Sequence, residues 1–277
     1  MSISASDVKE LRDRTGAGMM DCKNALSEAN GDMDAAIEFL RKKGQKVSEQ
    51  RADREANQGI IVSKLSEDGK KAVALELNCE TDFVAKNEAF IKDANDMADL
   101  VYNKEITNLE ALKSEKLNGT LVSDKLQDMV GKIGEKIDVS RIELIKSDGE
   151  IIVYMHPGNQ LAVLVEFGSS LGNKELGKDV AMQIAAMHPI AIDRDGVDDT
   201  IIQKEQEIAK EQLMNEGKPE HIAEKAAQGK IRRFYEERVL LEQKFVKEGS
   251  VTVSEYLKGQ DAPDVVSFKR IQLGEND

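Results

Sequence analysis

Three neighbouring residues, Thr81, Asp82 and Phe83, place a hydroxyl, a carboxylate and a large aromatic ring between a strand pattern and a helix pattern. The strand pattern is the apolar run 72–77, and the helix pattern is the apolar spacing over 90–101. Thr81 or Asp82 can cap the next turn, since a short side-chain oxygen accepts hydrogen bonds from free N–H groups at a helix start. We call residues 80–84 the corner.

The ring of Phe83 has two alternative roles. It either packs into the chain's own core beside a capped helix, or it projects from a rigid corner into a partner protein. An internal repeat and the pattern of the first forty residues favour the partner role.

The residues that commonly carry covalent chemistry are scattered. His156, His188 and His221 fall in a hairpin turn, a helix end and a charged helix, and Cys22 and Cys79 lack C-x-x-C spacing. The sequence shows no metal-ligand spacing, no nucleophile beside a base and no nucleotide-binding motif. We predict no catalytic residue, no metal or nucleotide site, no cofactor and two free thiols.

Composition limits the classes of partner. Of 277 residues 40% are hydrophobic and only 4% aromatic, so the core must be aliphatic. The 39 basic against 52 acidic residues give a net charge of −13, which opposes nucleic acid as the primary ligand. There is no signal-peptide pattern and no apolar run of about eighteen residues. We expect a soluble, cytoplasmic protein with no direct nucleic-acid or membrane partner.

The pattern along the chain predicts an α+β fold that begins with a small module of three helices over residues 1–46. Gly16 and Gly31 end the first two helices, and Asp32 caps the third. Met20 falls on the apolar pattern of the second helix, so we expect it in the core, whereas the turn at 16–18 exposes at least one of Met19 and Met20. A polar linker, partly helical, follows over 47–58.

Two segments of the remaining chain resemble each other. The runs 60–62 and 72–77 recur as 151–153 and 162–167, and turn-forming residues join each pair, so hairpins are predicted at 59–77 and 150–167. A helix opening near an Asn follows each hairpin. We predict two related subdomains, 59–147 and 148–277, of which the second is closed by a strand at 265–271.

The second subdomain is interrupted at about 199–237 by an antiparallel helical hairpin whose second helix starts at Pro219. Its inner stripe is predicted from the apolar spacing of both helices, and comprises Ile201, Ile208, Ala209, Met214, Ile222, Ala223, Ala226, Ile231 and Phe234. Such a hairpin can contact a partner or a second copy of the chain, so a homodimer stays an open alternative.

Several motifs together resemble one known family. Residues 8–23 with 29–32 closely resemble the N-terminal ubiquitin-associated-like domain of bacterial elongation factor Ts, and residues 81–86 resemble the signature that follows its first hairpin. The match continues in order through residues 217–219, 222–225, 229 and 243–246, and so spans nearly the whole chain.

The resemblance implies that the chain binds elongation factor Tu in its GDP-bound and nucleotide-free states. It implies guanine-nucleotide exchange on this partner without covalent chemistry. Arg12, Met19 and Met20 match positions that grip the GTPase domain. Residues Thr81, Asp82, Phe83 and Val84 match the segment that enters it, where Phe83 wedges between helices, disturbs the Mg²⁺ site and releases GDP. The second subdomain is implied to reach another domain of the partner.

Two features depart from the family pattern. Gln183 stands where the family often has a partner-binding His, and it can replace the hydrogen bonding of that His but not its titration. The chain ends at residue 277 without the C-terminal helical extension of some members. The main alternative function is a noncatalytic adaptor that uses the ubiquitin-associated-like module and the helical hairpin to bind proteins.

Overall fold

The computed structural model describes residues 3–275. Met1, Ser2, Asn276 and Asp277 belong to the predicted ranges 1–46 and 148–277 and lie outside the described residues. Helices and small sheets together confirm the mixed α+β class. The described residues form two compact units, unit 1 with 3–64, 73–144 and 271–275, and unit 2 with 65–72 and 145–270.

The chain begins with three helices, α1 (Ala5–Thr15), α2 (Met19–Glu28) and α3 (Met33–Arg51). Gly16 follows α1 at φ 68°, a left-handed conformation that glycine adopts without a Cβ clash. The Asp32 carboxylate caps α3 by accepting from Ala35 N at 2.8 Å. Because α3 continues to residue 51, the predicted linker at 47–58 is helical over its first five positions.

The first hairpin and the helices after it lie mainly in unit 1: β1 (Gln58–Leu65), β2 (Lys71–Cys79), α4 (Asp82–Ala85) and α5 (Glu88–Lys104). The turn of the hairpin closes where Ser66 N donates to Lys71 O at 2.8 Å. Asn87 caps α5, because its Oδ1 accepts from Ala89 N at 2.9 Å. The predicted cap near an Asn is therefore confirmed.

Residues 109–121 contain three small elements: α6 (Leu109–Lys113), β3 (Lys116–Leu117) and β4 (Thr120–Leu121). Asn118 and Gly119 join the two strands at φ 53° and 87°, as in a type I′ turn. Then come α7 (Val122–Ile133), which packs against α3, and β5 (Asp138–Lys146), which completes a sheet in the order β1-β2-β5.

The second hairpin and its helix lie in unit 2: β6 (Glu150–Met155), β7 (Leu161–Phe167) and α8 (Lys174–Met187). The strands are antiparallel, with a register that runs from Glu150 opposite Phe167 to Met155 opposite Ala162. Asn173 caps α8 by accepting from Glu175 N at 3.0 Å. Hairpins therefore occupy both predicted positions.

The helical hairpin consists of α9 (Asp199–Asn215) and α10 (Glu220–Arg238). Its predicted inner stripe is partly wrong, because Ile201, Ile208, Met214 and Ile222 are exposed. The predicted Ala209 and Ala223 are buried in the contact, together with Leu213 and Ala227, which the stripe did not include. The two helices are rotated so that mainly small side chains lie between their axes. Several of the longer apolar side chains lie outside this contact.

Four short elements complete unit 2 and its sheet: β8 (Lys244–Phe245), β9 (Glu248–Thr252), α11 (Val253–Gly259) and β10 (Val265–Gln272). β10 pairs with β7, giving the order β10-β7-β6. The compact units differ from the predicted continuous ranges 59–147 and 148–277. The turn of the first hairpin belongs to unit 2, where Lys70 O accepts from Ser147 N at 2.9 Å and Gly69 O accepts from Ile151 N at 2.7 Å.

Candidate partner-binding site

Phe83 is the most exposed large apolar side chain among the described residues, with 82% of its surface accessible. It lies on α4, a single helical turn between the end of β2 and the cap of α5. An isolated turn of this length is unstable in water, so its conformation depends on the elements that flank it. The interpretation of Phe83 as a core residue is therefore wrong, and the ring is available to another molecule.

The other residues of the predicted segment differ in exposure. Val84 packs against the hydrophobic core of unit 1 and is only partly accessible. Asp82 forms an ion pair with Lys86 one turn later, with Oδ2 and Nζ 2.6 Å apart. The hydrogen bond and charge of Lys86 hold the pKa of the Asp82 carboxyl below its ordinary value. Asp82 is therefore a carboxylate at neutral pH, beside the exposed ring.

Glu80 begins the corner and is tied to the end of α3. Its carboxylate oxygens lie 2.7 and 2.9 Å from Arg51 Nη1, and Lys136 N donates to Oε1 at 2.6 Å. Burial alone raises the pKa of Glu80, but the hydrogen bond from Lys136 N and the positive charges of Arg51 and Arg54 together hold it below its ordinary value. The corner thus carries a charged anchor on its inner side.

A groove of about 670 Å³ extends from the corner to the turn between α1 and α2. Phe83, Lys132, Ile133 and Gly16 are among the residues that line it. A Cβ built on Gly16 would lie 3.6 Å from Lys132 Cδ, so the turn between α1 and α2 approaches α7 directly. The exposed ring and the turn that leads to Met19 therefore face the same groove.

Met19 and Met20 begin α2, and their side chains are 60% and 64% exposed. The expectation that Met20 lies in the core is wrong. Gly18 opens α2 without a side-chain cap, and the inward face of the helix is taken by Cys22, Ala25 and Leu26, which leaves the first two positions outside. Arg12 is also exposed, in the last turn of α1. Together these residues offer an apolar contact flanked by a positive charge.

Gln183 does not belong to this exposed surface, because its side chain is fully buried in unit 2. Its Nε2 donates to Gln243 Oε1 at 3.0 Å and to Lys244 O at 3.1 Å, and its Oε1 accepts from Val246 N at 2.8 Å. Gln183 therefore offers no exposed surface to a partner in this conformation. Gln183 instead fixes the segment that carries Val246, which is 48% exposed.

Reactive groups are not gathered at this site. Within residues 3–275, no group of three or more His, Cys, Asp and Glu side chains could hold a metal ion. In the same described range, no helix has the length and apolar character needed to cross a membrane. Burial, followed by the negative charge of Glu135, raises the pKa of the Cys79 thiol to about 11. Cys79 is therefore a neutral thiol at physiological pH.

Comparisons of the chain with a family model and with known proteins agree on one family. A family model described as Elongation factor TS matches residues 80–275. Proteins named elongation factor Ts from Christiangramia forsetii and Prosthecochloris aestuarii are 47% and 46% identical to the chain, each alignment covering 98% of the chain and 99% of the relative. Another, from Flavobacterium psychrophilum, is 46% identical, with 99% of both sequences covered. The chain therefore belongs to the elongation factor Ts family.

Proposed function

We propose that this chain accelerates the release of GDP from elongation factor Tu during translation elongation. The observation that carries the proposal is the exposure of Phe83, at 82%, on a helical turn whose flanking residues are held by the fold. A protein that needed this ring for its own core would bury it. An exposed aromatic on a rigid support suits insertion into a partner, where buried aromatic rings commonly dominate binding energy.

Within the corner we assign different roles to the four predicted residues. Phe83 enters the GTPase domain of the partner, and the carboxylate of Asp82 accompanies it toward the Mg²⁺ site. Thr81 and Val84 hold the corner in place, since Val84 packs on the core and Thr81 is hydrogen-bonded to Glu135. Disturbance of the Mg²⁺ site then weakens the binding of GDP to the partner.

The energetic requirement is a difference between two states of elongation factor Tu. If the chain bound the GDP-bound and nucleotide-free states equally well, the complex would be tight but GDP release would not accelerate. By linkage, the factor by which the chain favours the nucleotide-free state is the factor by which it weakens GDP binding. Phe83 therefore has to make its best contact in the open state of the partner.

Two further surfaces are proposed to bind the same partner. Arg12, Met19 and Met20 offer an exposed contact near the groove, which suits a grip on the GTPase domain, and unit 2 is proposed to reach a second domain of the partner. We further propose that the protein acts in the cytoplasm as a binding protein, without covalent catalysis, cofactor or nucleic-acid ligand. The helical hairpin leaves a homodimer as an alternative assembly.

The deciding experiment measures the release of fluorescent GDP from elongation factor Tu after addition of excess unlabelled GDP. We expect the rate to rise with the concentration of the chain and to saturate. Elongation factor Tu without the chain gives the basal rate. A rate that stays basal at every concentration, although the two proteins bind, would support the adaptor alternative instead.

A further inference from the structure

The segment that follows α7 is hydrogen-bonded to the corner through the carboxylate of Glu135. Glu135 is not among the predicted site residues. Glu135 Oε2 accepts from Glu80 N at 3.1 Å and from Thr81 N at 3.0 Å. Its other oxygen accepts from the Thr81 hydroxyl at 2.7 Å. One side chain thus satisfies two backbone donors and one hydroxyl at the point where β2 ends.

These hydrogen bonds replace an ordinary helix cap. Thr81 occupies the N-cap position of α4, yet its side chain accepts no hydrogen bond from the turn. The hydroxyl donates to Glu135 instead, so the corner is fixed to a distant part of the chain rather than to itself. Hydrogen bonds to a charged acceptor are about twice as strong as those between neutral groups.

The connection is reciprocal. While Glu135 accepts from the backbone of the corner, the carboxylate of Glu80 accepts from the backbone N–H of Lys136 at 2.6 Å. Lys136 Nζ also donates to Ala52 O and Arg54 O, each at 2.8 Å, and so holds the residues that follow α3. The end of α3, the corner and the segment after α7 therefore form one hydrogen-bonded junction inside unit 1.

We infer that Glu135 is a positioning residue for nucleotide exchange: it holds the corner so that Phe83 projects in one fixed orientation. This inference rests on the proposed function for its kinetic consequence, but the hydrogen bonds themselves can be tested in the free protein. A corner released from Glu135 has to be ordered during binding. The free-energy cost of that ordering reduces the net binding free energy that Phe83 contributes in the open state of the partner.

The first test measures backbone amide hydrogen exchange in the free protein. Glu135→Ala removes the acceptor of the Glu80 and Thr81 amides, so we expect faster exchange in a peptide covering residues 78–86, by about tenfold or more. Glu115→Ala serves as the matched control, because Glu115 is paired with Lys104 at 2.6 Å outside the junction. Unchanged exchange over residues 78–86 in Glu135→Ala would overturn the inference.

The second test measures stimulated GDP release in a double-mutant cycle. If Glu135 acts through Phe83, Glu135→Ala slows release at saturating concentration by about fivefold or more in the wild-type background and has little further effect when Phe83 is already Ala. Glu135→Gln, which keeps an acceptor oxygen, restores most of the rate. Equal slowing in both backgrounds, or no slowing in either, contradicts a positioning role.

The two arms separate this inference from the proposed function. If the wild-type chain does not accelerate GDP release, the proposed function fails, and amide exchange alone decides whether Glu135 orders the corner. If Glu135→Ala unfolds, its melting curve shows it, and Thr81→Val, which removes only the hydroxyl that donates to Glu135, then tests the same connection in a folded protein.

Discussion

Gly131 on α7 lies so close to Gly44 on α3 that a Cβ built on Gly131 would be 2.7 Å from the Gly44 Cα. Side chains do not tolerate such a separation, so the two helices meet through their backbones. The contact joins the third helix of the N-terminal module to the helix that precedes Glu135. The orientation of α3 within unit 1 therefore depends on the absence of a side chain at Gly131.

Replacing Gly131 with Ala should destabilise the protein by about 1–3 kcal/mol, because the added methyl group forces α3 and α7 apart. Gly229→Ala is the matched control: Gly229 lies inside α10, and a Cβ there would meet none of the described atoms within 4 Å. That control should gain roughly 0.5–1 kcal/mol from helix propensity. Urea denaturation measures both changes, and stabilisation by Gly131→Ala would contradict the backbone contact.

Phe83→Ala should slow stimulated GDP release by about tenfold or more, if roughly 1.4 kcal/mol of its contact is specific to the open state of the partner. Since the ring is exposed in the free protein, the melting temperature should hardly change. Phe90→Ala is the contrasting variant, because Phe90 is 1% exposed and its loss should cost about 3–5 kcal/mol of stability. A large loss of stability in Phe83→Ala with normal exchange would reverse the assignment.

The double variant Met19→Ala, Met20→Ala should weaken binding to elongation factor Tu by about tenfold or more, since each exposed methionine can bury apolar area in the partner. The melting temperature should stay close to that of the wild type. Isothermal titration calorimetry measures the affinity. Deleting residues 1–50 would be a less specific test, because it also removes α3 from its contact with α7. Unchanged affinity of the double variant would reject the anchor role.

Gln183→Leu should destabilise the protein by about 1–3 kcal/mol, because it leaves Val246 N and the Gln243 side chain without their buried partner. Gln228→Leu changes an exposed position of α10 and should have little effect. Thermal unfolding compares the two. Full stability in Gln183→Leu together with weaker partner binding would instead restore Gln183 as a direct contact.

Acid should weaken the anchor at Glu80. The pKa of Glu80 is lower in the folded protein than its ordinary value of about 4.3, so the charged form stabilises the fold above that value. This stabilisation is lost as the pH falls through the folded-state pKa. Unfolding free energies measured from ~pH 7 to ~pH 3 should therefore fall more steeply for the wild type than for Glu80→Gln. Parallel curves would show that the charge of Glu80 does not contribute.

Local signals in the sequence predicted much of the fold. Gly16, Asp32, Asn87 and Asn173 act through their own backbone geometry or short side chains, and so their roles follow from neighbouring residues. The missed elements carried such signals too. The Asn118-Gly119 pair indicates a tight hairpin, and Thr252 with Glu255 forms a capping box at the start of α11.

The parts that sequence reasoning missed depend on contacts between distant segments. The partners of Glu135, at positions 80 and 81, are more than fifty residues away along the chain. Periodicity placed Met20 inside and Ile208 on the inner stripe, but the direction from which a neighbouring helix approaches decides which side of an amphipathic pattern is covered. The exposure of Phe83 likewise depends on how α4 sits between β2 and α5, and local sequence does not determine this.

The burial of both native cysteines has a practical consequence for spectroscopy. Cys22 and Cys79 are inaccessible, and the raised pKa of Cys79, about 11, leaves its sulfur protonated at neutral pH. A single cysteine introduced at position 86, where the side chain of Lys86 is 75% exposed, can therefore be labelled selectively with a maleimide fluorophore. The dye would sit three residues from Phe83 and report the arrival of a partner at the ring while both native thiols stay in place.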